Sequence, residues 1–197
     1  MKLASSGAVI SGAIVALCGI PACAQGLLYG QEHAKHYANS LAPYVVSPQQ
    51  IVDRMLELAD LKPGETVYDL GSGDGRILIT AVQRFRAKAV GIEISDALAN
   101  SATDRIRRLG LQNDARVIHA DFLTVDLSPA DVVTLYLATD ANVMVRPNLE
   151  KYLKRGARVV SHDYAVPGWK AKLVDKEMPD ARGHVIYLYE MPPTRKR

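Results

Sequence analysis

The sequence predicts an α/β fold, a doubly wound and mostly parallel sheet with an antiparallel C-terminal hairpin strand. Three observations predict it. From about residue 43 helical and strand patterns alternate, with no internal repeat and no low-complexity linker. The strand segments are nearly continuous apolar runs, as expected of parallel strands covered on both faces. A glycine cluster follows directly on the first of them. Composition agrees with a single globular domain, at 197 residues, 48% hydrophobic and 23% charged. The formal charge of +3 is too small to imply a nucleic-acid partner.

Residues 8–20, AVISGAIVALCGI, have the length of a signal-peptide core, with Lys2 before them and Ala22-Cys23-Ala24 offering cleavage ahead of Gln25. The expectation is an exported, periplasmic protein that loses residues 1–24, with 25–42 as a lead segment before the domain. An uncleaved membrane anchor is the alternative, and lipid attachment through Cys23 is a third reading. Cys18 and Cys23 both lie in this stretch, so thiolate ligands and disulfides are excluded from everything after it.

In the first predicted helix Ser47 can cap, Pro48 suits the first position and Gln50 can complete a capping box. Ile51, Met55, Leu58 and Ala59 keep a helical period until Lys62-Pro63-Gly64 breaks it. Thr66–Leu70 reads as a strand. Ile77, Ala81, Val82 and Phe85 mark one face of the next helix. Ala89–Ile94 is a buried-strand pattern. Ser95 caps a helix whose apolar face carries Leu98, Ala102, Ile106 and Leu109, with Arg105, Arg107 and Arg108 in its last turns and Gly110 ending it. Strands follow at Ala115–Ala120, Asp131–Leu137 and Arg158–His162, the last two separated by a helix ending at Gly156. Lys170–Glu177 and His184–Glu190 read as a hairpin joined by Met178–Gly183. Residues 192–197 read as a solvated basic tail.

Open sheets of this kind bind ligands at the carboxyl ends of their strands, beside the switch in strand order. The first such end is Asp69-Leu70-Gly71-Ser72-Gly73-Asp74-Gly75-Arg76. A dinucleotide fingerprint would place its third glycine at 76, where Arg76 stands. Asp69 and Asp74 make the loop acidic, which suits an ammonium or sulfonium ligand better than a diphosphate. The second strand ends in Glu93, whose carboxylate can accept from both hydroxyls of a ribose. The third ends in Asp121-Phe122, which can take an adenine amino proton and flank the base. Together they describe a site for a ribose, an adenine and a cationic amino-acid tail.

With D-L-G-S-G-D-G-R, V-G-I-E-I and H-A-D-F in this order, residues 43–191 resemble the class I S-adenosylmethionine-dependent methyltransferases. A closer likeness is to the small lysine methyltransferase family that includes the ATP synthase c-subunit and adenine nucleotide translocase methyltransferases. It is carried by Pro43-Tyr44-Val45-Val46-Ser47, by the D-L-G-S-G-D-G-R-I run, and by V-V-S-H-D-Y with Trp169 after it. Val46 stands where family members tend to have proline, which puts the loop over the cofactor in question. The resemblance implies a Rossmann-like methyltransferase sheet and S-adenosylmethionine as cofactor. It places Asp69, Gly71 and Gly73 around the methionine moiety, Glu93 at the ribose and Asp121 at the adenine. Tyr44 is either a lid over the methionine or a core aromatic. The implied function is methyl transfer to an amine such as a protein lysine. A small-molecule O-methyltransferase and a non-catalytic cofactor-binding module are the alternatives.

Methyl acceptors sit beyond the fourth strand in such folds, which makes Tyr136, Thr139, Asp140 and Asn142 acceptor-site candidates. Asp140 also reads as the cap of the following helix. The D/N-P-P-Y/F signature of nucleic-acid amino methylation is missing from this position. His162-Asp163 is either a general-base pair or a loop organiser. The O-methyl alternative would use Mg²⁺ on Asp140 and Asp163, but Tyr164 stands where an Asn is expected. His33-x-x-His36 reads as a solvated helix face, and no metal is expected. One conflict remains within the sequence. The cofactor is made in the cytosol, yet the N-terminal pattern predicts export, and Lys2 favours a translocated domain even if the segment stays as an anchor. The family likeness adds weight to membrane association.

Overall fold

The computed structural model describes residues 44–176 and 183–195. Seven strands form one sheet in the order β3-β2-β1-β4-β5-β8-β7. They are β1 (Thr66–Leu70), β2 (Lys88–Glu93), β3 (Ala115–His119), β4 (Val132–Leu135), β5 (Arg158–His162), β7 (Leu173–Asp175) and β8 (Ile186–Glu190). The first five pair in parallel, whereas β8 pairs antiparallel with β5 and β7 antiparallel with β8. A second small pairing joins β6 (Trp169–Lys170) to β9 (Thr194–Arg195). The chain runs outward from β1 through β2 to β3, then returns to the other side of β1 for β4. The strand order therefore reverses between β1 and β4, and the crevice at their carboxyl ends is the ligand position for this architecture.

Alternation along the strands divides the core into two layers. Val67, Ala89, Val132, Val160 and Ile186 face one way. They pack under α1 (Gln49–Leu58), α2 (Arg76–Phe85) and α3 (Asp96–Arg108), which contribute Ile51, Met55, Leu78, Ala81 and Ile106. Tyr68, Leu70, Ile92, Val133, Leu135 and Val159 face the other way, against Val145 and Leu149 of α4 (Thr139–Tyr152) and the fully buried Trp169. No helix among the described residues is long and apolar enough to cross a membrane. The predicted signal or anchor, the lead segment and His33-x-x-His36 lie outside the described residues.

The fold class and the succession of strands and helices along the chain match the sequence reading, and several boundaries differ for identifiable reasons. Ser47 does not cap α1. Its hydroxyl is engaged by His162 Nδ1 at 2.9 Å, and the Pro48 carbonyl accepts from Ile51 and Val52 instead. Ser95 does cap α3, accepting from the Leu98 amide at 3.2 Å. Leu109, expected on the buried face of α3, is exposed because the helix ends at Arg108. Ala99, Ala102 and Ile106 form that face. Helix α4 stops at Tyr152, where Leu153 turns extended, rather than at Gly156. The expected strand over Lys170–Glu177 is divided. Trp169–Lys170 is drawn off by Thr194–Arg195, and only Leu173–Asp175 pairs with β8. Two antiparallel strands thus close the sheet. Thr194 and Arg195, read as part of a solvated tail, belong to β9, and Arg195 pairs with Glu150 at 2.9 Å.

Candidate active site

The turn after β1 is tied to the end of β2, since the amides of Gly71 and Ser72 both donate to the Ile92 carbonyl, at 2.8 and 3.1 Å. Gly73 has a φ of +51°, and a Cβ there would fall 2.6 Å from Cε2 of Tyr44. Backbone and aromatic ring therefore meet at a distance only glycine permits. Beneath the loop, Ser72 Oγ is buried with no hydrogen-bond partner in the described structure, tucked against Gly91.

Three carboxylates surround this turn. Asp69 is buried and accepts from the Thr134 hydroxyl at 2.7 Å. Burial pushes its carboxyl up to about 7, against the Thr134 hydrogen bond, and the charges of Glu93 and Asp74 push in the same direction. Glu93 is also buried, and its two oxygens take the amides of Gly73 (2.8 Å) and Ser95 (2.9 Å). Each oxygen keeps a further lone pair for a hydroxyl donor. Asp74 is different. Burial pushes it upward, but the hydrogen bonds and charge of Arg76, helped by Arg105, hold it below the usual carboxylate range. Arg76 also donates to the Ser47 carbonyl at 2.7 Å, which fastens the start of α1 to the loop. Asp121 accepts from the Leu123 amide at 2.8 Å and so caps a short 3₁₀ turn, Phe122–Thr124, with Phe122 half-buried against the α4 layer.

The sequence-derived cofactor residues Tyr44, Asp69, Gly71, Gly73, Glu93, Asp121 and Phe122 are thus distributed over the carboxyl ends of β1, β2 and β3 and the segment before α1. This donor set fits S-adenosylmethionine on structural grounds. A carboxyl whose pKa is raised by burial, and further by neighbouring negative charge, is relieved by an ammonium group. The Glu93 oxygens are oriented by two amides, and the loop carries no cationic group free to hold a phosphate, since Arg76 is already paired.

The acceptor candidates are not equally placed. Tyr136, just past β4, stacks on His162 with ring centroids 3.9 Å apart. Burial, with the negative charge of Asp163 nearby, pushes its hydroxyl up to about 12. Asn142 is fully buried. Its Nδ2 donates to the Tyr164 carbonyl at 3.1 Å, and Oδ1 has no partner in the described structure. Its visible role is to hold the Tyr164 loop. Thr139 and Asp140 are exposed in the first turn of α4. The helix is capped by Ala138, so Asp140 is not the cap. Among the described residues Asp163 groups with His162 and His184, and Asp140 is not part of that group.

His162 and Asp163 instead form a cluster with His184, which the sequence reading left within a hairpin arm. The missing signal was register. His162 pairs with Ile186, and the Asp163 amide donates to the Val185 carbonyl at 2.7 Å, which brings His184 over the end of β5. Burial pushes the buried His162 down to about 4, with His184 adding to the effect and Asp163 opposing it.

Comparison with known proteins agrees with this geometry. Residues 69–173 match the family model described as the ANTKMT methyltransferase domain. A protein-lysine N-methyltransferase of Saccharolobus islandicus is 46% identical over 148 residues, covering 75% of this chain and 92% of the relative. The adenine nucleotide translocase lysine N-methyltransferase of Mus musculus is 33% identical over 138 residues, and the chain spans 60% of its length. The crystal structure of an RNA methyltransferase from Salinibacter ruber with S-adenosyl-L-homocysteine superposes with a TM-score of 0.71 at 39% identity, over 75% of this chain and 94% of that one. A turn that suits a cationic adenosyl ligand and a family match from the end of β1 to the start of β7 lead to one conclusion: this chain is an S-adenosylmethionine-dependent methyltransferase and belongs to the ANTKMT methyltransferase domain family.

Proposed function

We propose that the chain methylates the ε-amine of a protein lysine. The observation that carries this reading is the 46% identity to a protein-lysine N-methyltransferase across nearly the whole of that relative. S-Adenosylmethionine supplies a methyl group already activated on a sulfonium. Asp69 receives the ammonium of the amino-acid tail, Glu93 the ribose hydroxyls, and Asp121 with Phe122 the adenine. Tyr44 covers the loop at Gly73 and excludes water. Tyr136 and Tyr164, whose rings lie 6.3 Å apart, form an aromatic wall for the acceptor. A lysine entering beside them loses hydration, which lowers its pKa and favours the neutral nucleophile without a dedicated strong base.

The name of the Salinibacter structure raises RNA as an acceptor. The small net charge and the missing D/N-P-P-Y/F signature favour protein. Incubation with methyl-labelled cofactor and fractionated lysate separates the two. Label that is lost to protease, survives ribonuclease and maps to methyl-lysine by mass spectrometry supports the proposal. Label in RNA or a small molecule, or no transfer, overturns it.

The export signal is a further part of the proposal. Gln25 as the mature N-terminus in a periplasmic or secreted fraction is the expected result. An intact Met1 in the membrane fraction would instead assign an anchored enzyme acting on a membrane neighbour.

A further inference from the structure

We propose that His162, Asp163 and His184 form a binding site for a single divalent transition-metal ion, for which Zn²⁺ is the natural probe. Three ligand atoms converge at the end of β5. His162 Nε2 lies 2.9 Å from His184 Nδ1, His184 Nδ1 lies 3.0 Å from Asp163 Oδ2, and Asp163 Oδ2 lies 3.3 Å from His162 Nε2. Ligands bound at about 2.0–2.1 Å stand roughly 3.0 Å apart on an octahedral face and roughly 3.4 Å apart on a tetrahedral one. All three edges fall in or next to that interval.

Hydrogen bonding satisfies two of the three edges, through a His184 Nδ1–H shared by His162 Nε2 and Asp163 Oδ2, and leaves the third edge without a bond. With Asp163 ionised, each of the three atoms is either a donor or an acceptor, so at least one edge always joins two of a kind. An ion shared by all three removes the conflict. The surroundings also orient the ligands as an outer shell does. His162 Nδ1 meets Ser47 Oγ at 2.9 Å, Asp163 Oδ1 accepts the Val185 amide at 2.9 Å, and Tyr136 stacks on the His162 ring. Asp163 has a φ of +60°, a conformation more open to Asp than to most residues, and it directs the carboxylate at the two imidazoles. The His184 and Asp163 side chains are 29% and 23% exposed, which gives an ion entry from solvent and leaves a position for water. Two imidazoles and one carboxylate are a donor set for Zn²⁺ or a neighbouring first-row ion rather than for Mg²⁺.

The test uses the full chain without an affinity tag, stripped with a chelator and titrated with Zn²⁺ and then Co²⁺. The expected result is one equivalent bound, a raised melting temperature, and a visible Co²⁺ spectrum. His184→Ala should weaken binding by at least about tenfold and change that spectrum. Asp163→Asn keeps an acceptor for the Val185 amide and provides a second variant with the same expected loss, should His184→Ala fail to fold. A third variant with His33, His36, Cys18 and Cys23 all replaced should bind as the parent does. Absence of stoichiometric uptake overturns the proposal. Uptake unchanged by His184→Ala and Asp163→Asn, or abolished in the third variant, overturns it equally.

Discussion

Asp69 makes cofactor affinity depend on pH in a way that can be worked out from its surroundings. Its carboxyl is raised from 3.8 to about 7, first by burial and then by Glu93 and Asp74, against the hydrogen bond from Thr134. The folded protein therefore holds a proton there that the unfolded chain has released. For this group, stability is fully present below about pH 4 and is lost as pH rises towards 7, by at most about 4 kcal/mol. A ligand ammonium reverses the preference by favouring the carboxylate. If only the ionised form binds, apparent affinity scales with the ionised fraction, about one tenth at pH 6 and nine tenths at pH 8. S-Adenosylmethionine should thus bind about tenfold more tightly per pH unit through the acid range, levelling near 7. The cofactor's own α-amino group titrates near 8, which limits the useful window to roughly pH 5.5–7.5. Calorimetric titration across that window measures the slope, with 5′-methylthioadenosine as the control, since it has no ammonium and should give a flat profile. Asp69→Asn should remove both the slope and at least about tenfold in affinity. A flat profile for S-adenosylmethionine, or an equal slope for the control, would refute the assignment of Asp69 to the amino-acid tail.

Other positions give equally direct outcomes. Gly73→Ala places a Cβ 2.6 Å from the Tyr44 ring at a φ of +51°, and should weaken cofactor binding by about tenfold or more, from left-handed strain of about 1–2 kcal/mol plus displacement of Tyr44. Gly110→Ala has similar strain but open space around it, and calorimetry should find its cofactor affinity unchanged. Tyr136→Phe keeps the stack on His162 and removes the hydroxyl that lies near the Asp163 carboxylate. Acceptor kcat/KM should fall about tenfold while cofactor Kd stays within about twofold, and a matching loss of cofactor affinity would place Tyr136 on the wrong side of the site. Trp169→Ala empties a fully buried site and deletes the 2.8 Å bond to Glu150. Urea unfolding should report a loss of about 3–5 kcal/mol, and a loss under 1 kcal/mol would mean that the α4 layer closes over the gap.

The cofactor side was legible because its parts sit at strand ends that neighbour one another in both sequence logic and space. Strand β1 leads straight into Gly71 and Gly73, and the parallel pairing of β1 with β2 sets Glu93 beside them. Buried parallel strands announce themselves by apolar runs, and each run stops where the polar ligand groups begin. The acceptor side has no such local rule. Ser47 and Ser95 are the same residue before similar helices, yet only Ser95 caps, because His162 claims Ser47 from 115 positions away. The one local difference, Pro48 after Ser47 where Asp96 follows Ser95, does not by itself announce the long-range partner. His184 likewise acquires a role only through the antiparallel register of β8 on β5, which no periodicity within residues 173–190 specifies.

This difference bears on how the two halves of the site respond to change. The cofactor half is held by backbone amides at Glu93 and by a glycine turn, so its geometry depends on the sheet itself. The proposed acceptor half is held by side chains from four separate segments: Ser47 before α1, Tyr136 after β4, His162 with Asp163 at the end of β5, and His184 before β8. Replacing any one of them alters the acceptor wall while leaving D-L-G-S-G-D-G-R, Glu93 and Asp121 intact. If the proposed acceptor wall is right, single substitutions there are expected to shift acceptor choice more than cofactor binding. Exchanges at Ser47 or His184 should move acceptor kinetics and leave the pH profile of cofactor affinity, which belongs to Asp69, where it was.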